Sequence, residues 1–281
     1  MRRRLRRIGI VGCGAIGSAL ARAIEREDAK RARVVALVDA DRKAALALQQ
    51  RLPSQPPIVS LPELIRRSDL VIEAATVSVA AEVARRALAA NRDVMVMSTG
   101  GLLRTRASWQ RLAQRSRGHL YLPSGALCGL DGIKAMAVGT ITRIRLTTRK
   151  APRALAASPF VRARRLDVNR LRAPTVLFEG SPAQVIRAFP QNTNVAATMA
   201  LASGALAGGS KRRRPAATVR VVADPSLRSN VHELEVEGDC GRLSVRVESR
   251  PSSVNPKTSE LAIRSALATV KQLLTPVRIG T

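Results

Sequence analysis

Short continuous apolar runs and stretches of helical period alternate along the first hundred residues. Residues Ile8 to Gly12 (IGIVG) form a short apolar run ending in glycine, and Ala15 to Glu27 follow with Ile16, Leu20 and Ile24 at i, i+4 and i+8, flanked by Ala19 and Ala23. This predicts a buried strand that turns into an amphipathic helix. Val34 to Val38 (VVALV) is a second apolar run, stopped by Asp39; Ala44 to Leu52 follows as a helix, and Pro53, Pro56 and Pro57 break the chain. Leu70 to Ala74, Val79 to Ala90 and Val94 to Met97 continue as strand, helix and strand. Such alternation predicts an α/β fold with a doubly wound parallel sheet.

After Gly100 the pattern changes. Ile141 to Thr148 (ITRIRLTT), Val219 to Ala223 and Leu243 to Glu248 (LSVRVE) alternate at period two, which predicts strands of a sheet with one solvated face and hence a second, α+β domain. Ser181 to Phe189, capped by Ser181, and Val195 to Ala205 read as helices. Gly204 to Ala217 is glycine-rich and then strongly basic, the composition of an exposed loop. In the last element, Ser259 to Leu274, a helical face is expected to carry Leu261, Ala262, Ser265, Ala268 and Leu273. The expected organisation is a dinucleotide-binding Rossmann domain over 1–120, a substrate and oligomerisation domain over 121–257, and a C-terminal segment, 258–281, whose helix packs back on the first domain.

Composition narrows the function classes. The chain has 281 residues, 46% of them hydrophobic, and no apolar run of bilayer length, so a soluble, cytoplasmic protein with no membrane association is expected. The arginine-rich start, Met1 to Arg7, is followed at once by a strand-like stretch rather than the apolar core of a signal peptide. Cys13, Cys128 and Cys240 are far apart, as are His119 and His232, so reduced thiols and no bound metal are expected. The net charge of +28 raises nucleic-acid binding, but the basic residues are dispersed, apart from the N-terminal arginines and Lys211 to Arg214. Only 2% of residues are aromatic, which leaves few platforms on which bases stack, so specific nucleic-acid binding is not expected.

The sharpest local signal is Gly12-Cys13-Gly14-Ala15-Ile16-Gly17, a GxGxxG that leaves a strand and opens a helix. Gly12 permits the tight turn, Gly14 lets backbone approach a pyrophosphate, and Gly17 lets helix and strand pack closely. The phosphates then face the unpaired first-turn amides, including those of Ala15 and Ile16. Asp39, 22 residues beyond Gly17 and at the end of the second strand, stands where a carboxylate accepts hydrogen bonds from the adenosine ribose. Its rival reading is a helix-capping aspartate. Arg42 follows and tolerates a 2′-phosphate, so NAD and NADP both remain open as cofactor.

The distal half carries strings that, in order and spacing, resemble the L-aspartate dehydrogenase family: Leu122 to Ala126 (LPSGA) with Gly129-Leu130-Asp131, Thr147 to Lys150 (TTRK), Phe178 to Ser181 (FEGS), Phe189 to Thr198 (FPQNTNVAAT), Ala223-Asp224-Pro225, Asn230 to Glu233 (NVHE), and Asn255 to Ser259 (NPKTS). The similarity runs from about Ile8 to Leu274. It implies NAD(P)-linked oxidation of L-aspartate to iminoaspartate, which hydrolyses to oxaloacetate and ammonia or feeds pyridine nucleotide biosynthesis, by a homodimer or larger homo-oligomer. It also places the family's catalytic histidine on His232 and further cofactor contacts on Ala126 and Asn194. The segment Gly208 to Pro215 departs from the family pattern as an insertion, and the basic excess is atypical.

Independently of any resemblance, an imidazole titrates near neutrality, so His232 suits proton transfer or the handling of an imine, but at a strand entrance its spacing alone favours a structural histidine, and it is the NVHE string that reverses this. Two carboxylates of the substrate must also be held. Candidates are Ser124 with the amides around Gly125 and Ala126, together with Lys150, Asn192 and Lys257. Glu73, at the end of an apolar strand, is either a structural carboxylate or part of the nicotinamide pocket, and His119 reads as a loop residue. Two other readings stay open: a Rossmann enzyme acting on another imine or carbonyl, such as a dihydrodipicolinate reductase or homoserine dehydrogenase, and a cationic nucleic-acid-binding protein.

Overall fold

The computed structural model describes residues 5–103, 105–190, 194–205, 216–252, 258–277 and 279. The chain divides into two compact units, one of Met1–Pro123 with Ile263–Arg278, the other of Ser124–Ala262 with Ile279–Thr281.

In the first unit, β1 (Arg6–Val11), α1 (Ala15–Glu27), β2 (Ala32–Val38), α2 (Arg42–Arg51), α3 (Leu61–Arg67), β3 (Leu70–Glu73), α4 (Val77–Ala89), β4 (Asp93–Val96), α5 (Gly100–Leu103), α6 (Arg106–Arg115) and β5 (Leu120–Tyr121) follow one another. The strands make one five-stranded sheet in the order β2-β1-β3-β4-β5 with every pair parallel. The order reverses between β1 and β3, so the loop after β1 lies at the crevice where such sheets bind ligands. Parallel strands covered by helices read as continuous apolar runs, which is why LVIE and the later residues of RRIGIV are buried throughout. Helix α1 buries Gly17, Leu20, Ala21, Ala23 and Ile24. The carboxylate of Asp41 caps α2 by accepting from the amides of Lys43 and Ala44. Helix α3, only seven residues long, and α6, mostly polar in sequence, escape a periodicity reading; Pro62 and Glu63 in the first turn of α3 are the local signals that mark it.

The second unit contains α7 (Leu130–Met136), β6 (Ile141–Lys150), α8 (Pro152–Leu155), α9 (Pro159–Ala163), β7 (Thr175–Gly180), α10 (Pro182–Ala188), α11 (Asn194–Ala205), β8 (Ala216–Ala223), β9 (Asn230–Gly238) and β10 (Gly241–Ser249). Its sheet runs β10-β9-β6-β8-β7, antiparallel except for the β6–β8 pair. One face is apolar: Ile144 and Leu146 on β6, Leu234 and Val236 on β9, and Val219 and Val221 on β8 share a core with Ile133, Phe189 and Met199. The opposite face is charged. Arg149 pairs with Glu233 at 3.0 Å and Arg220 with Glu179 at 2.8 Å, while Arg242 reaches Glu237 at 2.8 Å. Ser181 forms a capping box with Gln184 at the start of α10.

The last helix, α12 (Glu260–Leu274), buries Ile263, Ala266, Val270 and Leu274, and the last three join the first unit's core with Ile8, Leu20 and Ile24. This corrects the expected helix face of Leu261, Ala262, Ser265, Ala268 and Leu273: none of these is fully buried and Ala268 is exposed. The stripe through Ile263 and Val270 is the one with large apolar residues at both turns, and burying each such side chain stabilises by about 1.5–3 kcal/mol. Most of the basic loop read from Gly204 to Ala217 lies outside the described residues, although Gly204 and Ala205 still belong to α11, and Ala216 opens β8. Among the described residues no helix is long and apolar enough to cross a membrane, and no group of three or more His, Cys, Asp or Glu is placed to hold a metal ion.

Candidate active site

The glycine loop separates three demands that its sequence only suggests. Gly12 has φ +95°, and a Cβ there would sit 2.6 Å from the backbone of Ala74 and Ala75, just beyond β3. A Cβ on Gly17 would collide with the Gly12 carbonyl oxygen, so helix and turn touch backbone to backbone. Around Gly14 the case is opposite, because a Cβ there would meet nothing within 4 Å. The chain itself therefore makes no steric demand for glycine at position 14, and the open space lies where a pyrophosphate would rest. Gly14 is also the N-cap of α1, with no side chain to satisfy the first-turn amides and no acidic residue in that turn, which leaves Ala15, Ile16 and Gly17 presenting N–H groups suited to an anion. The residues present thus fit a dinucleotide.

Asp39 stands at the edge of this loop. One carboxylate oxygen accepts from the Cys13 amide at 2.6 Å and the other from the Asp41 amide at 2.8 Å. The capping of α2 belongs to Asp41 instead, so the helix-cap alternative for Asp39 does not hold. Burial, helped by the Asp39 charge, pushes the Cys13 thiol up to about 12, so it is not a thiolate at neutral pH. Asp39→Ala is expected to raise the Michaelis constant for NAD and to move the ratio of catalytic efficiencies toward NADP, since a carboxylate repels a 2′-phosphate. Steady-state kinetics with both cofactors checks this, and an unmoved ratio removes Asp39 from ribose recognition.

Glu73 is fully buried at the end of β3. Its carboxylate accepts from the amides of Ala75 at 2.9 Å and Ser98 at 3.0 Å, tying together the loops that follow β3 and β4. Burial pushes its pKa up against the pull of these hydrogen bonds. Of the two roles open to it in sequence, the hydrogen bonds give it the structural one. His119 is exposed, its amide and ring both reaching Asp93.

The second unit gathers its own cluster on β6 and β9. Thr148 and Lys150 are two residues apart on one strand and so share a face, and His232 lies directly opposite Thr148 on β9. All three are buried. The Thr148 hydroxyl and His232 Nδ1 are 3.1 Å apart. This places His232 as the third residue of a nine-residue strand, on the parity that continues into Leu234 and Val236 of the core. Burial, reinforced by the neighbouring Lys150 charge, pushes His232 down to about 3, and burial pushes the Lys150 ammonium down to about 8. The cluster at neutral pH is therefore a neutral imidazole beside a largely cationic, poorly solvated ammonium. That combination offers a proton acceptor together with a site for a carboxylate.

The remaining candidates stand apart from this cluster along the chain. Ser124 and Ala126 occupy a turn in which the Leu127 amide donates to the Ser124 carbonyl at 3.2 Å and Gly125 takes φ +65°. Asn194 is the exposed first residue of α11. Asn192 and Lys257 lie outside the described residues. The residue that sequence reading passed over is Thr148, although its parity with Leu146 and Lys150 in ITRIRLTTRK was available.

Residues 131–273 match the family model described as aspartate dehydrogenase, C-terminal, and residues 12–123 match that of the homoserine dehydrogenase NAD-binding domain. The chain is 43% identical over 278 residues to L-aspartate dehydrogenase of Methanosarcina barkeri, covering 98% of this chain and 99% of that protein. The chain belongs to the L-aspartate dehydrogenase family. The relative in Methanosarcina acetivorans is likewise 43% identical over the same span and shares. Among solved structures, aspartate dehydrogenase from Thermotoga maritima superimposes with a TM-score of 0.74 at 23% identity, over 99% of this chain and all of that one, which shows a shared fold. The homoserine dehydrogenase alternative thus has its counterpart in the cofactor-binding half alone among the two family models, while the half that contains Lys150 and His232 matches aspartate dehydrogenase.

Proposed function

We propose that this chain is an NAD(P)-dependent L-aspartate dehydrogenase that oxidises L-aspartate to iminoaspartate, which hydrolyses to oxaloacetate and ammonia or feeds pyridine nucleotide biosynthesis. The observation that carries the proposal is that family similarity runs through the substrate half, residues 131–273, and takes in the buried Thr148, Lys150 and His232 cluster.

Gly12, Gly14, Ala15, Ile16, Gly17 and Asp39 would hold the dinucleotide, with Ala126 and Asn194 as further contacts. When bound, the nicotinamide supplies the hydride acceptor. The protein's own residues handle charge and protons. Before the Cα–H bond can give up its hydride and a C=N bond form, the substrate ammonium must lose a proton, and His232 is the acceptor once a substrate carboxylate on Lys150 offsets the charge that opposes a proton on the ring. Lys150 offers the charge for one carboxylate, with Ser124 and Asn192 as polar contacts for substrate oxygen. A buried ammonium is strongly complementary to a carboxylate, because little water competes for either.

A cytoplasmic homodimer or larger homo-oligomer completes the proposal. All three cysteines are free thiols, Cys128 and Cys240 exposed, which suits a reducing compartment. The test is NADH and NADPH formation with L-aspartate beside D-aspartate, L-glutamate, L-malate and L-homoserine. L-Aspartate is expected to be used with a catalytic efficiency at least about a hundredfold above the others, the scale set by leaving a buried charged or polar site group unpaired. Equal or better use of L-homoserine or L-malate would reject it.

A further inference from the structure

Among the described residues the hydrogen-bond partner of His232 is Thr148. The two side chains arise from directly opposed positions of adjacent antiparallel strands, and on the same face Leu146 opposes Leu234 while Val247 of β10 opposes His232 from the other side. Threonine is β-branched and stiff at χ1, so the strand pairing, rather than a flexible side chain, sets where its oxygen stands. One ring nitrogen thus lies within hydrogen-bond distance of that oxygen, with Leu234 and Val247 at neighbouring positions of the same face.

We propose that Thr148 is a positioning residue for His232: its hydroxyl oxygen accepts the Nδ1–H proton, fixes the ring's orientation, and leaves the Nε2 lone pair as the nitrogen that works on the substrate. The inference rests on the reading of His232 as the proton acceptor. A neutral imidazole carries one proton, and the nitrogen that carries it is set by the hydrogen bond made at the ring. Free imidazole side chains in water favour the proton on Nε2, the form in which Nε2 is a donor and cannot accept. A base at Nε2 therefore requires a partner that holds the proton on Nδ1, and Thr148 is placed to be that partner. Lys150, two residues along β6 on the same face, adds a positive charge that opposes a second proton on the ring and so keeps the choice between tautomers decisive.

The chain has two histidines, so the imidazole nitrogen spectrum of labelled, cofactor-free protein contains two residues' signals, and a His119→Gln variant assigns them. The expected result for His232 is a protonated Nδ1 and an unprotonated Nε2 from about pH 6 to about pH 9, well above the range in which a buried, desolvated imidazole gains a second proton. Thr148→Val keeps the side chain's shape and β-branching but removes the oxygen. It is expected to shift His232 toward the Nε2–H form and to lower kcat by about tenfold or more, the lower part of the range for a positioned base, with NADH affinity unchanged. Thr148→Ser should restore both the spectrum and kcat. A parent protein with its His232 proton on Nε2 overturns the proposal even if the valine variant fails to fold. So does a folded valine variant whose nitrogen signals or kcat match the parent. If instead the spectra behave as expected while His232→Ala turns over normally, it is the role of His232 that fails, and the hydrogen bond from its ring to Thr148 stands.

Discussion

Alanine at position 232 is expected to lower turnover by about a hundredfold or more, roughly 3 kcal/mol of transition-state stabilisation, while NADH affinity stays close to that of the parent protein. The size follows from the proposed role of His232 as a positioned proton acceptor, and the unchanged cofactor affinity from the assignment of dinucleotide binding to the glycine loop and Asp39 rather than to His232. The substitution also leaves the Thr148 hydroxyl without its ring partner in a buried setting, which costs stability on the order of 1–3 kcal/mol. Turnover is therefore measured well below the unfolding midpoint, with melting followed in parallel. Near-normal turnover there, or a loss that tracks unfolding, removes His232 from the mechanism. The pH dependence gives a second check. His232 is pushed from 6.5 to about 3 on folding, so between these values the unfolded chain binds more protons than the folded one. The stability that comes from burying a neutral ring is complete above 6.5 and is lost as pH falls toward 3. His232→Ala should flatten that acid limb of the stability profile.

Valine at position 14 is expected to abolish measurable NAD(H) binding while leaving the protein folded. The two halves of this prediction have separate causes. A Cβ at Gly14 meets no atom of the chain within 4 Å, so the fold accommodates a side chain, but the branched group fills the space where the pyrophosphate would approach the first-turn amides of α1. Gly17→Ala is the control with the opposite signature. Its Cβ would run into the Gly12 carbonyl, forcing helix and turn apart, and over-packing of this kind typically costs about 1–3 kcal/mol or more. Calorimetric titration with NADH and thermal melting distinguish the two variants. Unchanged cofactor affinity in Gly14→Val would remove the loop from the cofactor site.

Much of the first unit was legible because its signals are local. A strand buried on both faces must be apolar along its length, and the helix that follows must show a 3.6-residue period, so IGIVG followed by Ile16, Leu20 and Ile24 specifies β1 and α1 without reference to the rest of the chain. The glycines of the loop carry their reasons in sequence for the same cause: strand, turn and helix are contiguous. Helices α3 and α6 were not legible, since α3 is only seven residues long and α6 is largely polar, so neither shows a sustained helical period. The buried stripe of α12 was misplaced because a helix with apolar residues on several sides does not state which side the core will take. The core of Ile8, Leu20 and Ile24, more than two hundred residues away, selects Ile263, Ala266, Val270 and Leu274.

The sequence by itself determined the strand–turn–helix that opens the chain and the glycines and Asp39 associated with it, and its family strings singled out His232, with Lys150 one of several candidates for a substrate carboxylate. Tertiary structure alone decided what surrounds those residues. Asp39 hydrogen-bonds the glycine loop's own backbone while Asp41 caps α2, a distinction that depends on how β2 ends beside β1. Glu73 is a cross-tie between two loops because Ser98 follows the neighbouring strand β4. Thr148 meets His232 only through the register of β6 against β9, 84 residues apart, and their burial is what keeps the imidazole neutral and lowers the affinity of Lys150 for its proton. Local sequence sets which side chains alternate on a strand, but strand register and burial are properties of the assembled sheet, and they fix both the partner of a buried group and its charge.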